Sequence, residues 1–215
     1  MADRLSTLNE LIETGVIAVI RADSGGQLVN VCRALSQGGV KACEITMTTP
    51  GALEAIAAAS RELGKEALVG AGSVLDAETA RAAILAGARF IFSPILNADV
   101  IAMAHRYDCV AVPGAMTPTE ILTAWSAGAD VVKVFPANHF GPQYLRDVHG
   151  PMPQVKLTPT GGVDLNTAAD WIKAGAVAIG VGSSLVKKDL LAAGEWDELS
   201  SLAKKYVDIV AAARA

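Results

Sequence analysis

Along the chain, compact apolar runs alternate with longer stretches in which apolar residues recur every three or four positions. VIAVI at 16–20, ALVGAG at 67–72, VAVPG at 110–114 and VKLTPTGG at 155–162 are apolar runs ended by Gly, Pro or polar residues, and each reads as a buried strand. Four more strands share a punctuation in which a small residue, a glycine and another small residue close a helical stretch and open an apolar run. They are GGVKACEIT at 38–46, AGARFIFS at 86–93, AGADVVKV at 127–134 and AGAVAIGV at 174–181. Gly39, Gly87, Gly128 and Gly175 then read as the residues just past a helix end, in the left-handed conformation. Their spacings of 48, 41 and 47 residues each hold a strand, a helix, a second strand and a second helix.

Helical periodicity fills the gaps at 27–37, 52–63, 77–85, 98–106, 118–125 and 167–173, with a leading helix over 3–13 and a closing amphipathic helix over 195–213. Strict alternation of strand and helix implies parallel strands with right-handed crossovers. Eight such units predict an α/β chain folded as a (β/α)8 TIM barrel with an extra N-terminal helix, forming a single domain over 1–215. A doubly wound open sheet is the alternative.

Composition supports buried parallel strands: 52% of the 215 residues are hydrophobic but only 5% aromatic, so the core is mostly aliphatic. A formal net charge of −4 and the absence of a basic run interleaved with aromatics argue against nucleic acid as a partner. Three cysteines, Cys32, Cys43 and Cys109, lack the spacing of a disulfide framework or a zinc site, which points to a reducing cytoplasm, and no metal or other cofactor is called for. The first residues carry charges where a signal peptide would be apolar, and no run is long enough to span a membrane, so no membrane association is expected.

Enzymes built on parallel barrels carry their sites at the C-terminal ends of the strands, so charges inside strands stand out. Lys133 in DVVKVFP and Glu44 in ACEIT are two of them. Five residues after each punctuating glycine come Glu44, Phe92, Lys133 and Gly180, a shared register that could bring the four into one interior layer where Glu44 and Lys133 converge. A structural ion pair competes with this reading. Buried pairs rarely add net stability, however, whereas a desolvated lysine becomes a nucleophile towards carbonyl carbon. PTGGV at 159–163 and GSS at 182–184 follow the last two strands, where glycine-rich loops and helix N-termini hold phosphate; tight turns are the plainer reading. Arg21, after the first strand, could grip a carboxylate or form a rim salt bridge. Ser73 in GAGS, Ser93-Pro94 and Phe135-Pro136 lie where they would shape the mouth, although each also fits ordinary turn chemistry. His105, His139 and His149 are not spaced as metal ligands.

Taken together, VIAVIRA, EITMTTP, GAGSVL, FIFSP, VPGAMTPTE, VVKVFPA, PTGGV and the GSS at 182–184, in that order, resemble the class I aldolases that act on 2-keto-3-deoxy-6-phosphogluconate (KDPG) and 4-hydroxy-2-oxoglutarate (KHG), over most of the chain. That resemblance implies a trimeric barrel, Lys133 as the Schiff-base lysine and Glu44 as the acid/base. It also implies Arg21, Thr48, Ser73, Pro94, Phe135 and Thr160 around the substrate, and Gly161, Gly162, Gly182 and Ser183 at its phosphate. Partners would be a 2-oxo acid and an aldehyde. Some members of the family carry arginine at the position of Thr48 and threonine at that of Ser73, which leaves Arg21 as the expected carboxylate contact. Two other functions fit the same residues: a phosphate-binding isomerase or synthase with no covalent intermediate, and a catalytically silent sugar-phosphate binding protein.

Overall fold

The computed structural model describes residues 3–215. The chain opens with α1 (Arg4–Thr14) and β1 (Val16–Ile20), then alternates through α2 (Leu28–Gln37), β2 (Ala42–Thr46), α3 (Ala52–Leu63), β3 (Leu68–Gly72), α4 (Ala77–Leu85), β4 (Phe90–Phe92) and α5 (Ala98–Arg106). Next come β5 (Val110–Val112), β6 (Gly114–Ala115), α6 (Pro118–Ser126) and β7 (Val132–Val134). The last elements are α7 (Gln143–His149), β8 (Leu157–Pro159), α8 (Ala168–Lys173), β9 (Ile179–Val181), α9 (Lys188–Ala193) and α10 (Trp196–Arg214). Three expected helices agree to the residue: 52–63, 77–85 and 98–106. Two were not anticipated, α7 and α9, because both are short and α7 lies between Pro142 and Gly150.

The predicted punctuation has a common structural cause. Gly39, Gly87, Gly128 and Gly175 have φ of 91, 108, 98 and 99°. At each, the glycine N–H bonds back to a carbonyl of the last helical turn and the next residue's N–H reaches one residue further, as in Gly87 to Ile84 (2.9 Å) and Ala88 to Ala83 (3.0 Å). This doubly bonded ending turns the chain directly into the next strand.

Main-chain pairing forms two parallel sheets, one of six strands ordered β5-β4-β3-β2-β1-β9 and one of three ordered β6-β7-β8. The fifth expected strand, 110–114, is divided because Pro113 has no N–H to donate. Ser93 N–H bonds to Val112 on one side of the break, while the Pro113 carbonyl accepts from Lys133 N–H at 2.9 Å on the other. The far edges, β8 and β9, are linked by the parallel bridge Thr160↔Gly180.

Strands β1 to β5 divide their residues between two cores. Ile17, Ala42, Leu68, Phe90, Phe92, Val110, Val112, Val131 and Ala178 form an inner cluster together with Leu8 and Leu11 of α1. Their alternating neighbours, such as Val16, Ala18, Cys43 and Val69, join an outer cluster under the helices. Two residues on from Ala42, Val131 and Ala178, on the same inner phase, stand Glu44, Lys133 and Gly180.

Candidate active site

Because the paired strands run parallel, their C-terminal ends lie on one side, and the charged inner positions occur towards that side. Glu44 is 1% and Lys133 4% exposed. Lys133 Nζ lies 3.9 Å from Glu44 Oε1, 5.0 Å from the centre of the Phe135 ring and 5.5 Å from that of Phe92. Glu44, Phe92 and Lys133 therefore meet as the shared register predicts. Gly180 faces Thr160 instead, since a Cβ there would collide with Thr160 Oγ1. The ladder offsets the rows, pairing Glu44 with Val19 and Gly70, and Lys133 with Gly114 and Thr158.

Burial pushes the Glu44 carboxyl above its ordinary value of 4.5, opposed first by the Lys133 charge and then by that of Arg21. Among the described residues Glu44 Oε2 has no hydrogen-bond partner, and the same is true of Thr160 Oγ1. Room for the carboxylate comes from Gly72, where a Cβ would strike Glu44 Oε1. In the sequence Gly72 is only the second glycine of GAGS; its requirement by Glu44 is visible only when β2 and β3 are paired.

The two glycine-rich loops follow β8, which pairs with the Lys133 strand β7, and β9, which pairs with β1 next to the Glu44 strand β2. Gly161 and Gly162 adopt φ of 99 and 72° after β8, and Gly182 and Ser183 follow β9. With Val19, Thr160 and Gly180 they line a cavity of about 280 Å³. Ser184 Oγ donates to the Val163 carbonyl at 2.6 Å and ties the two loops together. Asp164 Oδ1 accepts the N–H groups of Asn166 and Thr167, holding the turn into α8.

At the other side of the mouth, Arg21 Nε donates to Thr48 Oγ1 at 3.2 Å, and Thr48 Oγ1 is in turn 3.1 Å from the Thr46 hydroxyl. Arg21 also lines a neighbouring cavity of about 190 Å³ with Asp23, Gln27 and Lys188. Ser73 closes β3 with φ of 58°, and Pro94 closes β4 against Gly114, where a Cβ would meet the Pro94 carbonyl. Among the described residues neither has a hydrogen bond or ion pair to Lys133 or Glu44. No group of three or more His, Cys, Asp or Glu among the described residues is placed to hold a metal ion. No helix among them is long and apolar enough to cross a membrane.

A family model described as "KDPG and KHG aldolase" matches residues 8–202. The chain belongs to the KDPG/KHG aldolase family. It is 35% identical to the 2-dehydro-3-deoxy-phosphogluconate aldolase of Treponema pallidum, over 95% of this chain and 98% of the relative. It is 32% identical to the 2-dehydro-3-deoxy-6-phosphogalactonate aldolase of Escherichia coli, over 91% of this chain and 96% of the relative. Among solved structures, the KDPG aldolase of Legionella pneumophila, with pyruvate captured as a covalent carbinolamine, superposes with a TM-score of 0.85 at 26% identity. That match covers 92% of this chain and 96% of the other.

In this member of the KDPG/KHG aldolase family, the paired residues supply the elements of carbonyl chemistry. A buried amine stands beside a carboxyl whose pKa burial raises, two aromatic rings flank the amine, and two glycine-rich loops line a cavity nearby. Glu44 Oε2 and Thr160 Oγ1 are buried polar atoms without a hydrogen-bond partner among the described residues.

Proposed function

We propose that this chain is a class I aldolase that reversibly cleaves KDPG to pyruvate and glyceraldehyde 3-phosphate, KHG to pyruvate and glyoxylate, or both. The observation that carries the reading is the buried approach of Lys133 to Glu44 beside the glycine-loop cavity. The neutral Lys133 amine attacks C2 of the 2-oxo acid, and the resulting carbinolamine loses water to give an iminium. Glu44 takes the C4 hydroxyl proton, the aldehyde carbonyl forms, and the C3–C4 electron pair moves towards the iminium nitrogen to leave an enamine. The proton returns to C3, and water releases pyruvate and the free amine. Phe92 and Phe135, with ring centres 5.5 and 5.0 Å from the amine, wall the reacting carbonyl on its apolar side.

In the same reading, Gly161, Gly162, Gly182 and Ser183 hold the substrate phosphate, Thr160 and Phe135 line the substrate, and Arg21, Thr48, Ser73 and Pro94 form its carboxylate side. The Arg21 to Thr48 hydrogen bond supports the carboxylate assignment, since it draws the guanidinium over the position where some relatives have their own arginine. The two sheets are inferred to be one (β/α)8 barrel in a single domain, supported by the continuity of β5 into β6 through Pro113 and by the Thr160↔Gly180 bridge. A homotrimer follows from the resemblance, and light scattering checks it; the cytoplasmic setting and the lack of a membrane or nucleic-acid partner rest on the cysteine pattern, the short apolar runs and the net charge.

Borohydride reduction with pyruvate tests the mechanism. A peptide containing Lys133 should gain the mass of the reduced pyruvyl group, and Lys133→Ala should abolish both the adduct and pyruvate release. Turnover without any adduct would select the isomerase or synthase reading, and ligand binding without turnover the silent binding protein.

A further inference from the structure

Behind the glycine loops stands a phenol that no step of the cleavage uses. Tyr206, on α10, is fully buried in the outer cluster that also holds Leu199, Leu202, Ala203 and Val210, yet its Oη has no hydrogen-bond partner among the described residues. A buried hydroxyl left unpaired opposes folding, so phenylalanine would satisfy the packing of α10 better. The groups that face the phenol are the Ser184 hydroxyl and the Asp164 carboxylate: burial pushes the Tyr206 phenol above its ordinary pKa of 10, Ser184 counters that rise and Asp164 adds to it. Both neighbours belong to the loops. Ser184 spends its one hydroxyl hydrogen on the Val163 carbonyl and keeps lone pairs free to accept another bond. A buried donor thus faces a half-used acceptor that joins the two loops.

We infer that Tyr206 is a positioning residue for phosphate: when a phosphate monoester draws the two glycine loops together, Tyr206 Oη–H donates to Ser184 Oγ, whose own hydrogen bonds the Val163 carbonyl. The completed relay fixes the spacing between the backbone N–H groups of the loop at 161–163 and those of the loop at 182–184. The inference rests on the reading of these loops as the phosphate site.

Tyr206→Phe tests it, because the substitution removes one hydroxyl and keeps the ring. Thermal melts with and without inorganic phosphate, and kinetics on KDPG and KHG, give the readouts. Without phosphate, the variant should melt at the same temperature as the wild type or higher. Its dissociation constant for phosphate and its KM for KDPG should rise about two- to tenfold, the range of one hydrogen bond, with KM for KHG unchanged. Ser184→Ala should reproduce the shift, and the double variant should add little to either single one. A lower melting temperature without phosphate, combined with unchanged phosphate affinity, assigns the hydroxyl to packing and overturns the inference. Equal KM changes on both substrates overturn it as well. If the wild type cleaves neither substrate, the aldolase reading fails while phosphate titration of the two proteins still decides the relay. If the wild type binds no phosphate, the relay fails while cleavage of KHG can stand.

Discussion

Alanine at position 72 would place a methyl group against Glu44: an ideal Cβ there meets the carboxylate oxygen Oε1 and lies 2.6 Å from Cγ. Ordinary contact for a Cβ begins near 3.4 Å, so Cγ must withdraw by about 0.8 Å and the carboxylate end by more. A misplacement of about 1 Å in a reacting group lowers rates by about a hundredfold, whereas inserting a methyl into a packed interior destabilises by about 1–3 kcal/mol. Gly72→Ala should therefore lower kcat about a hundredfold while the protein stays folded. Gly70→Ala is the matched control. It lies two residues earlier on the same face of β3, and its Cβ would strike the ring of Phe90 in the apolar inner cluster. Its stability loss should be similar, with kcat within a few-fold of wild type. Pyruvate release coupled to lactate dehydrogenase measures kcat, and urea unfolding measures stability. Equal loss of kcat in the two variants, or none in Gly72→Ala, would refute the claim that Gly72 sets the position of the base.

Because the folded-state pKa of Glu44 is raised in the free enzyme, and because it must be ionised to take the C4 proton, the acid limb of the kcat/KM profile should lie above pH 4.5. Glu44→Gln should lose about 10² to 10⁴ in kcat and still form a borohydride adduct on prolonged incubation. The same shift has a stability sign: the folded state holds this proton more tightly than the unfolded one, so the contribution of Glu44 falls as pH rises from the unfolded carboxylate range through its folded value. Urea melts at acid and neutral pH should show a smaller decline for Glu44→Gln. Arg21→Ala should raise KM about tenfold, the loss expected of a charge-assisted bond to a carboxylate; unchanged KM and kcat would move that contact elsewhere. Gly128→Ala, at a φ of 98°, should cost about 1–2 kcal/mol in urea unfolding without altering kcat.

What could be read from the sequence was what depends on local rules. The four helix-ending glycines were legible because only a residue without a Cβ enters that conformation easily, and each reset the phase of the strand that followed. That phase sends Glu44 and Lys133 inward, so the pair could be found from two charges in apolar runs. The features that escaped depend on which strands lie side by side. Gly72 matters because β3 pairs with β2, Gly180 because β9 bridges to Thr160, and Tyr206 because α10 packs behind loops some forty and twenty residues earlier. Pro113 was visible as a strand end, but the division of pairing there required both neighbouring strands.

The separation of Lys133 from Glu44 bears on what the pair is for. At 3.9 Å it exceeds the roughly 2.7–3.2 Å of a hydrogen bond, and Glu44 Oε2 has no partner at all. Two buried charges repay their desolvation only with close geometry and full hydrogen bonding, so this arrangement is a poor one for holding a fold together. Stability comes from elsewhere on the same strands. Leu8 and Leu11 of α1 join Ile17, Ala42 and Leu68 in the inner cluster, which is wholly apolar. Moving two residues along a strand, from Ala42 to Glu44 or from Val131 to Lys133, passes from that cluster to the reactive pair without leaving the inner face. The apolar positions carry the stability that the charged positions forgo, and that division favours a chemical over a structural role for the pair.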